Sequence, residues 1–189
     1  MIVTKVVLIN IAKDKQRLED SRRELAKYGI DFKRIPGMLM TDRSKGFSSA
    51  YVNALKAIRG GGIIFEDDIE LDDFFIPDLP EGWDMLYFGA NLQEETEPVN
   101  NQLVRVLGAW TTHAILYSAE AVEKILSQYD YEKDGIYDDW LRRVFCRNNS
   151  CYMVTPMIAF QRDGYSNLIK QDASYREGFI DNYKKYTGR

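Results

Sequence analysis

The sequence predicts an α/β fold in which helices sandwich a mixed central sheet, and three observations predict it. Short apolar runs of strand length alternate with stretches of helical periodicity through the first half of the chain. The runs are nearly continuous in apolar character, as in strands covered on both faces. One of them, Ile63-Ile64-Phe65, follows three glycines and runs straight into Glu66-Asp67-Asp68. Open α/β sheets hold their ligands beyond the carboxyl ends of such strands.

Lys5 to Asn10 reads as a buried first strand, and Asp14 to Tyr28 as a helix with Leu18, Leu25 and Tyr28 on one face. Gly29 ends that helix. Phe32 to Ile35 is a second strand closed by Pro36-Gly37, which completes a β-α-β unit and a Rossmann-like start. Met38 to Gly46 reads as a loop. Ser48 to Ile58 reads as a helix with Tyr51, Val52, Leu55 and Ile58 on its apolar face. After the acidic strand, Leu71 to Gly82 is a proline-bearing loop and Trp83 to Gly89 another strand. Ala90 to Gln102 reads as a surface excursion, Leu103 to Leu107 as a short strand, and Ala114 to Ser118 as a further one. Ser118 is placed to cap a helix over Ala119 to Tyr129. Asp130 to Asp134 reads as a charged turn, Tyr137 to Phe145 as a helix, and Cys151 to Thr155 as a strand stopped by Pro156. Ser174 to Tyr186 carries Tyr175, Phe179, Tyr183 and Tyr186 at helical spacing.

The chain has 189 residues, the size of one domain. Its hydrophobic content of 45% and charged content of 29% belong to an ordinary globular protein. A formal charge of -4 argues against nucleic acid as a partner. With one histidine, His113, a Cys/His zinc cage is excluded in practice, and His113 reads as structural. Cys146 and Cys151 read as a reduced pair. The sequence shows neither a membrane-spanning run nor a signal-peptide pattern, so the expected compartment is the cytoplasm.

Glu66-Asp67-Asp68 carries the chemistry. Carboxylates crowded at a strand end repel one another, and a divalent cation relieves the repulsion. If the extended backbone continues, Glu66 and Asp68 share one face and Asp67 takes the other. Hard oxygen ligands suit Mn²⁺ or Mg²⁺, and few are needed where a diphosphate and water complete the shell. Such a cation neutralises the charge that develops on a diphosphate leaving group. The bland alternative is a solvated acidic turn. A second candidate site is Asp138-Asp139, beside Trp140: transfer to a hydroxyl calls for a carboxylate base, and the sequence leaves both acids open for that role. Acids also favour helix starts for ordinary electrostatic reasons.

Three segments together resemble glycosyltransferase family 25, which includes lipooligosaccharide and procollagen galactosyltransferases. They are Ile63 to Asp68, Trp83 to Gly89 and Thr112 to Ala121. Asn10 with Arg17, Ser44, Asp138 with Asp139, and Ser166 follow in family-like order. The chain departs from the family in reading Ser48-Ser49-Ala50-Tyr51-Val52-Asn53 where a Ser-His pair is usual.

The resemblance implies a GT-A fold over residues 1–189, with a nucleotide-sugar-binding half at 1–90 and an acceptor-side half at 91–189. It implies metal-dependent transfer of a hexose, galactose or glucose, from a UDP-sugar to a glycan, glycolipid or protein-linked acceptor, as in lipopolysaccharide biosynthesis. Asn10, Asp14 and Arg17 would meet the nucleotide, with Glu66 and Asp67 beside them. Glu66, Asp68 and, from a C-terminal loop with Gln161, Asp163 would hold Mn²⁺ or Mg²⁺. A glycolipid acceptor would suit a C-terminal helix resting on the inner membrane face; packing on the protein's own body is the alternative. Two other readings compete: a nucleotidyltransferase, which needs a glycine-rich loop that Asn10-Ile11-Ala12-Lys13 does not provide, and a non-catalytic nucleotide- or carbohydrate-binding domain.

Overall fold

A computed structural model describes residues 5–166 and 170–188. In chain order the elements are β1 (Val6–Asn10), α1 (Lys15–Ala26), β2 (Lys33–Pro36), α2 (Arg43–Ala57), β3 (Gly62–Glu66), β4 (Ile69–Leu71), β5 (Met85–Tyr87), β6 (Asn91–Leu92), β7 (Glu97–Pro98) and β8 (Leu103–Arg105). They continue with β9 (Ala109–Trp110), β10 (Ala114–Tyr117), α3 (Ala119–Gln128), α4 (Tyr131–Asp134), α5 (Tyr137–Trp140), a π-helical turn (Leu141–Phe145), α6 (Cys146–Asn148), β11 (Cys151–Val154), β12 (Ala159–Gln161), β13 (Gly164–Ser166), β14 (Gln171–Ala173) and α7 (Arg176–Thr187).

Among the described residues, one mixed sheet runs in the order β2-β1-β3-β10-β5-β11-β8-β7. Strands β2, β1 and β3 are parallel, whereas β10 inserts antiparallel between β3 and β5. Asn10 and Glu66 therefore end their strands where β10 begins, beside Thr112 and His113. This meeting of strand ends positions the site. Gly62 makes the close packing of β1 and β3 possible: a Cβ there would lie 2.4 Å from the Lys5 carbonyl oxygen.

The sheet alternates its side chains between two apolar layers. Val7, Ile64, Met85, Tyr87 and Ile115 join α2, α3, α5 and Phe179 of α7 on one side. Leu8, Ile63, Phe65, Leu86 and Leu116 meet Leu25 of α1 and the 74–83 segment on the other. This is the predicted α/β/α arrangement with a mixed central sheet. The predicted loop before α2 is shorter than expected. Asp42 caps the helix by accepting from the Lys45 amide at 3.0 Å, so α2 starts at Arg43 despite its polar first turn. Ser118 caps α3 as expected, through the Ala121 amide.

The Trp83-Asp84 start of the fifth strand is structural. Asp84 is buried and accepts from Lys124 Nζ at 2.7 Å and the Ser150 amide at 3.0 Å. The aromatic stripe of α7 packs inward: Phe179 is 1% exposed, and Tyr175, Tyr183 and Tyr186 lie against the core. The stripe that would have suited a membrane surface is thus spent on the protein's own body. Among the described residues, no helix is long and apolar enough to cross a membrane. Cys146 and Cys151 are buried free thiols.

Candidate active site

The extended backbone of β3 stops at Glu66, and a turn carries Asp67 and Asp68. The three acids therefore do not alternate as a continued strand would place them. Asp67 and Asp68 share one cation, Arg17, while Glu66 turns to a separate set of partners. The Arg17 guanidinium lies 2.5 Å from Asp67 Oδ1 and 3.1 Å from Asp68 Oδ2. Its Nη1 donates to the Tyr165 carbonyl at 3.1 Å. Arg17, expected to meet the nucleotide, is thus engaged by Asp67 and Asp68. Burial works against its charge, but Asp68 and Asp67 more than offset this and raise its pKa.

Asn10, at the end of β1, donates to Asp67 Oδ2 at 2.7 Å and to the Asp14 carbonyl at 3.1 Å, and it accepts from Arg34 Nε at 2.8 Å. Asp67 also anchors α1 through its own carbonyl, which accepts from the Ser21 hydroxyl at 2.9 Å. Burial raises the Asp67 pKa against the pull of Arg17 and Asn10. Asp67 thus joins β1, β3 and α1 at one point.

Asp68 differs in one atom. Its Oδ2 takes Arg17 and, at 3.3 Å, Gln161 Nε2. Its Oδ1 is buried with no hydrogen-bond partner among the described residues. Buried polar atoms are nearly always paired, so an open carboxylate oxygen here needs an explanation. Glu66 Oε1 accepts from the Tyr51 hydroxyl at 2.7 Å and the Thr112 hydroxyl at 2.8 Å. Burial, then the neighbouring Asp68 charge, pushes the Glu66 pKa up to about 8.

These groups line a cavity of about 420 Å³, within the range of small-molecule sites. Its wall includes Asn10, Arg17, Glu66, Asp67, Asp68 and Asp138 from the residues singled out in the sequence. It also includes Tyr51, Asn91, Trp110, Thr111, Thr112 and Tyr175, which the sequence analysis did not assign to a site. Met38, Leu39 and Arg43 come from the β2–α2 connection, and Gln161 from the end of β12.

Three predicted site residues lie outside this wall. Asp14 stands at the start of α1, with its carbonyl toward Asn10. Asp139 is held by Arg142 at 2.8 Å and Arg143 at 2.6 Å; burial opposes its charge, but the two arginines more than offset it and lower its pKa. Asp163 accepts from the Tyr175 amide at 2.8 Å and the Ser174 hydroxyl at 2.9 Å. It fastens the start of α7 and does not line the cavity; those hydrogen bonds lower its pKa. Asp138, by contrast, faces the cavity and has its pKa raised by burial, so the two adjacent acids part company.

His113 is fully buried against the Phe179 ring at 5.6 Å, with its imidazole toward the Ala159 backbone. Burial pushes its pKa down to about 4 and keeps it neutral. It is structural, as expected.

The donor set bears on a divalent cation in one respect. Asp68 Oδ1 is a hard oxygen donor, buried and unpaired among the described residues, on a side chain that lines the cavity together with Glu66. Among the described residues, no group of three or more His, Cys, Asp or Glu side chains is arranged to hold a metal alone. A cation here would draw most of its ligands from substrate and water, the arrangement Mg²⁺ commonly adopts.

No protein-family model matches the chain, and no curated protein matches it. Among solved structures it is similar to a mannose-1-phosphate geranyltransferase from Thermus thermophilus, at 12% identity and a TM-score of 0.46, over 85% of this chain and 76% of that one. It is also similar to a nucleoside-diphosphate-sugar pyrophosphorylase from Vibrio cholerae, at 12% identity and a TM-score of 0.43, over 98% of this chain and 82% of that one. Neither likeness is close enough to assign an activity.

Proposed function

We propose that this chain is a transferase acting on a nucleotide-diphosphate sugar, and that it moves the hexose to an acceptor hydroxyl in the manner of glycosyltransferase family 25. The observation that carries the reading is the open, buried Oδ1 of Asp68 in the wall of a cavity that also holds Asp138. Asp68 and Glu66 would hold Mn²⁺ or Mg²⁺, which supplies Lewis-acid stabilisation of a departing diphosphate. Arg17 and Asn10 fix the Asp67 turn so that Asp68 keeps its orientation. Asp138 accepts the proton of the acceptor hydroxyl as that oxygen bonds to the anomeric carbon. The bond between the anomeric carbon and the diphosphate breaks, and the nucleoside diphosphate leaves. The raised pKa of Asp138 makes it a stronger base than an exposed carboxylate.

Nucleotidyl transfer is the second reading, because it also places a cation at an acidic strand end. It is the kind of chemistry named for the Vibrio cholerae structure above, a likeness too slight to decide the matter. The link from β1 to α1 favours glycosyl transfer: it is only Ile11-Ala12-Lys13-Asp14 and contains no glycine, so it offers little backbone to wrap a triphosphate. The two reactions leave different products. Incubation with a panel of UDP- and GDP-hexoses and Mn²⁺ should release nucleoside diphosphate. Formation of nucleoside triphosphate from sugar nucleotide and pyrophosphate would move the assignment to nucleotidyl transfer.

A further inference from the structure

The cavity wall carries an exposed indole that the chemistry above leaves without a task. Trp110 is 44% exposed and belongs to the wall. It ends β9, which pairs with β6, and it stands opposite Asn91 in that two-stranded ribbon. Asn91 lines the cavity as well. An indole with a primary amide beside it offers a flat apolar face and a hydrogen-bonding edge together.

The placement of Trp110 is held from two sides. Arg142 lies over its ring, with the guanidinium carbon 5.5 Å from the centroid. Arg142 is itself fixed by Asp139 Oδ1, through Nη2 at 2.8 Å and Nε at 3.2 Å. On the other side, Thr111 adopts φ of +73°, a conformation that β-branched residues rarely accept. Its hydroxyl accepts from the Asn91 amide at 3.3 Å, which ties the strained residue back to the ribbon. Backbone strain of this kind persists where the surroundings over-determine it, and such places cluster at ligand clamps. Arg142 also lies one helical turn beyond Asp138, so the platform and the proposed base are set by one short helical segment.

We infer that Trp110 is the stacking platform for a pyranose ring of the acceptor, with Asn91 at its edge and the Asp139–Arg142 pair as its positioning residues. The acceptor role rests on the glycosyl-transfer reading; the binding itself does not require it. A pyranose fits because one face of the ring is apolar C–H and its rim is hydroxyl, which match the indole and the amide respectively.

Saturation-transfer NMR of the metal-free protein tests this, with methyl β-D-galactopyranoside, methyl β-D-glucopyranoside and methyl α-D-mannopyranoside as probes. Wild type, Trp110→Phe, Trp110→Leu and Trp110→Ala are compared, with UDP–Mn²⁺ calorimetry on the same four proteins as a second arm. At least one glycoside is expected to bind wild type through its ring C–H protons. Phe should keep that binding, whereas Leu and Ala should weaken it by about tenfold, with UDP affinity unchanged. If UDP binds but no glycoside does, or if Leu and Ala bind glycosides as tightly as wild type, the platform is overturned and the donor reading survives. If UDP does not bind while glycoside binding still depends on the ring, the donor reading fails and the platform stands. Failure of both ligands overturns both. Binding of monomeric dodecylphosphocholine in place of the glycosides also overturns the platform, since it would mark the mouth as a lipid site.

Discussion

Tyr51 has a single hydroxyl proton and two acceptors within reach: Glu66 Oε1 at 2.7 Å and the main-chain carbonyl of Thr112 at 2.8 Å. The carbonyl can only accept. A Glu66 carboxyl that keeps its proton removes the competition, because it can donate to the phenol while the phenol serves the carbonyl. This agrees with a Glu66 pKa pushed up to about 8 by burial and by Asp68.

The raised pKa makes stability depend on pH in a definite direction. Between its unfolded value near 4.5 and about 8, Glu66 binds more protons in the folded state, so its contribution falls as pH rises through that window. His113 acts oppositely below 6.5, where the unfolded chain binds the extra proton, because burial holds the folded value near 4. The two oppose each other up to pH 6.5. Above it His113 no longer opposes Glu66, whose own contribution should decline toward pH 8 by up to about 1.4 kcal/mol per pH unit. Thermal melts in EDTA at pH 6.5 and 8 check this; Glu66→Gln should flatten the decline. An unchanged slope in that variant would remove Glu66 as its source.

Asp138 and Asp139 should separate on substitution. Asp138→Asn is expected to lower kcat by about 10²- to 10⁴-fold, the usual contribution of a general base, with donor affinity retained. The wild-type rate should also fall with decreasing pH through a pKa above the ordinary carboxylate range, because only ionised Asp138 accepts the proton. Asp139→Asn should act mainly on the KM for acceptor, through Arg142 and Trp110. Equal losses of kcat in the two variants would contradict the assignment.

Gly89 tests how the site is framed. A Cβ there would fall 1.8 Å from the Ala159 carbonyl oxygen and 2.8 Å from its carbon. Backbone cannot yield as a flexible side chain does, so Gly89→Ala should cost about 3 kcal/mol. Ala159 opens the strand that ends in Gln161, the neighbour of Asp68. Chemical denaturation should therefore show lost stability, and metal-dependent UDP binding should weaken with it. A variant as stable as wild type would mean that β12 shifts freely.

Much of this could be read from the residues, and the failures have physical causes. The apolar run before Glu66 identified β3 and its acidic end, and the helix start at Ser118 and the apolar face of α2 followed from capping and periodicity. The insertion of antiparallel β10 between β3 and β5 could not be read, because sheet order is decided by long-range packing. Asp163 and Asp68 look alike in sequence, as acids at turns. One is consumed by the Tyr175 amide and the other keeps an open oxygen, a difference that depends on a residue 12 positions away and on the fold. The residue types do not distinguish Asp138 from Asp139, although the roughly 100° between neighbours in a helix separates their directions. Trp110 gave no signal, since a two-residue strand is too short to show alternation.

The central claim is that Asp68 offers its open oxygen to a cation shared with a nucleotide diphosphate. Calorimetric titration of UDP, with and without Mn²⁺, into wild type and Asp68→Asn tests it most directly. Mn²⁺ should strengthen UDP binding to wild type by at least about tenfold, some 1.4 kcal/mol, and should have little effect in Asp68→Asn. UDP affinity indifferent to Mn²⁺ in wild type, or a metal effect that survives intact in the variant, would contradict the account.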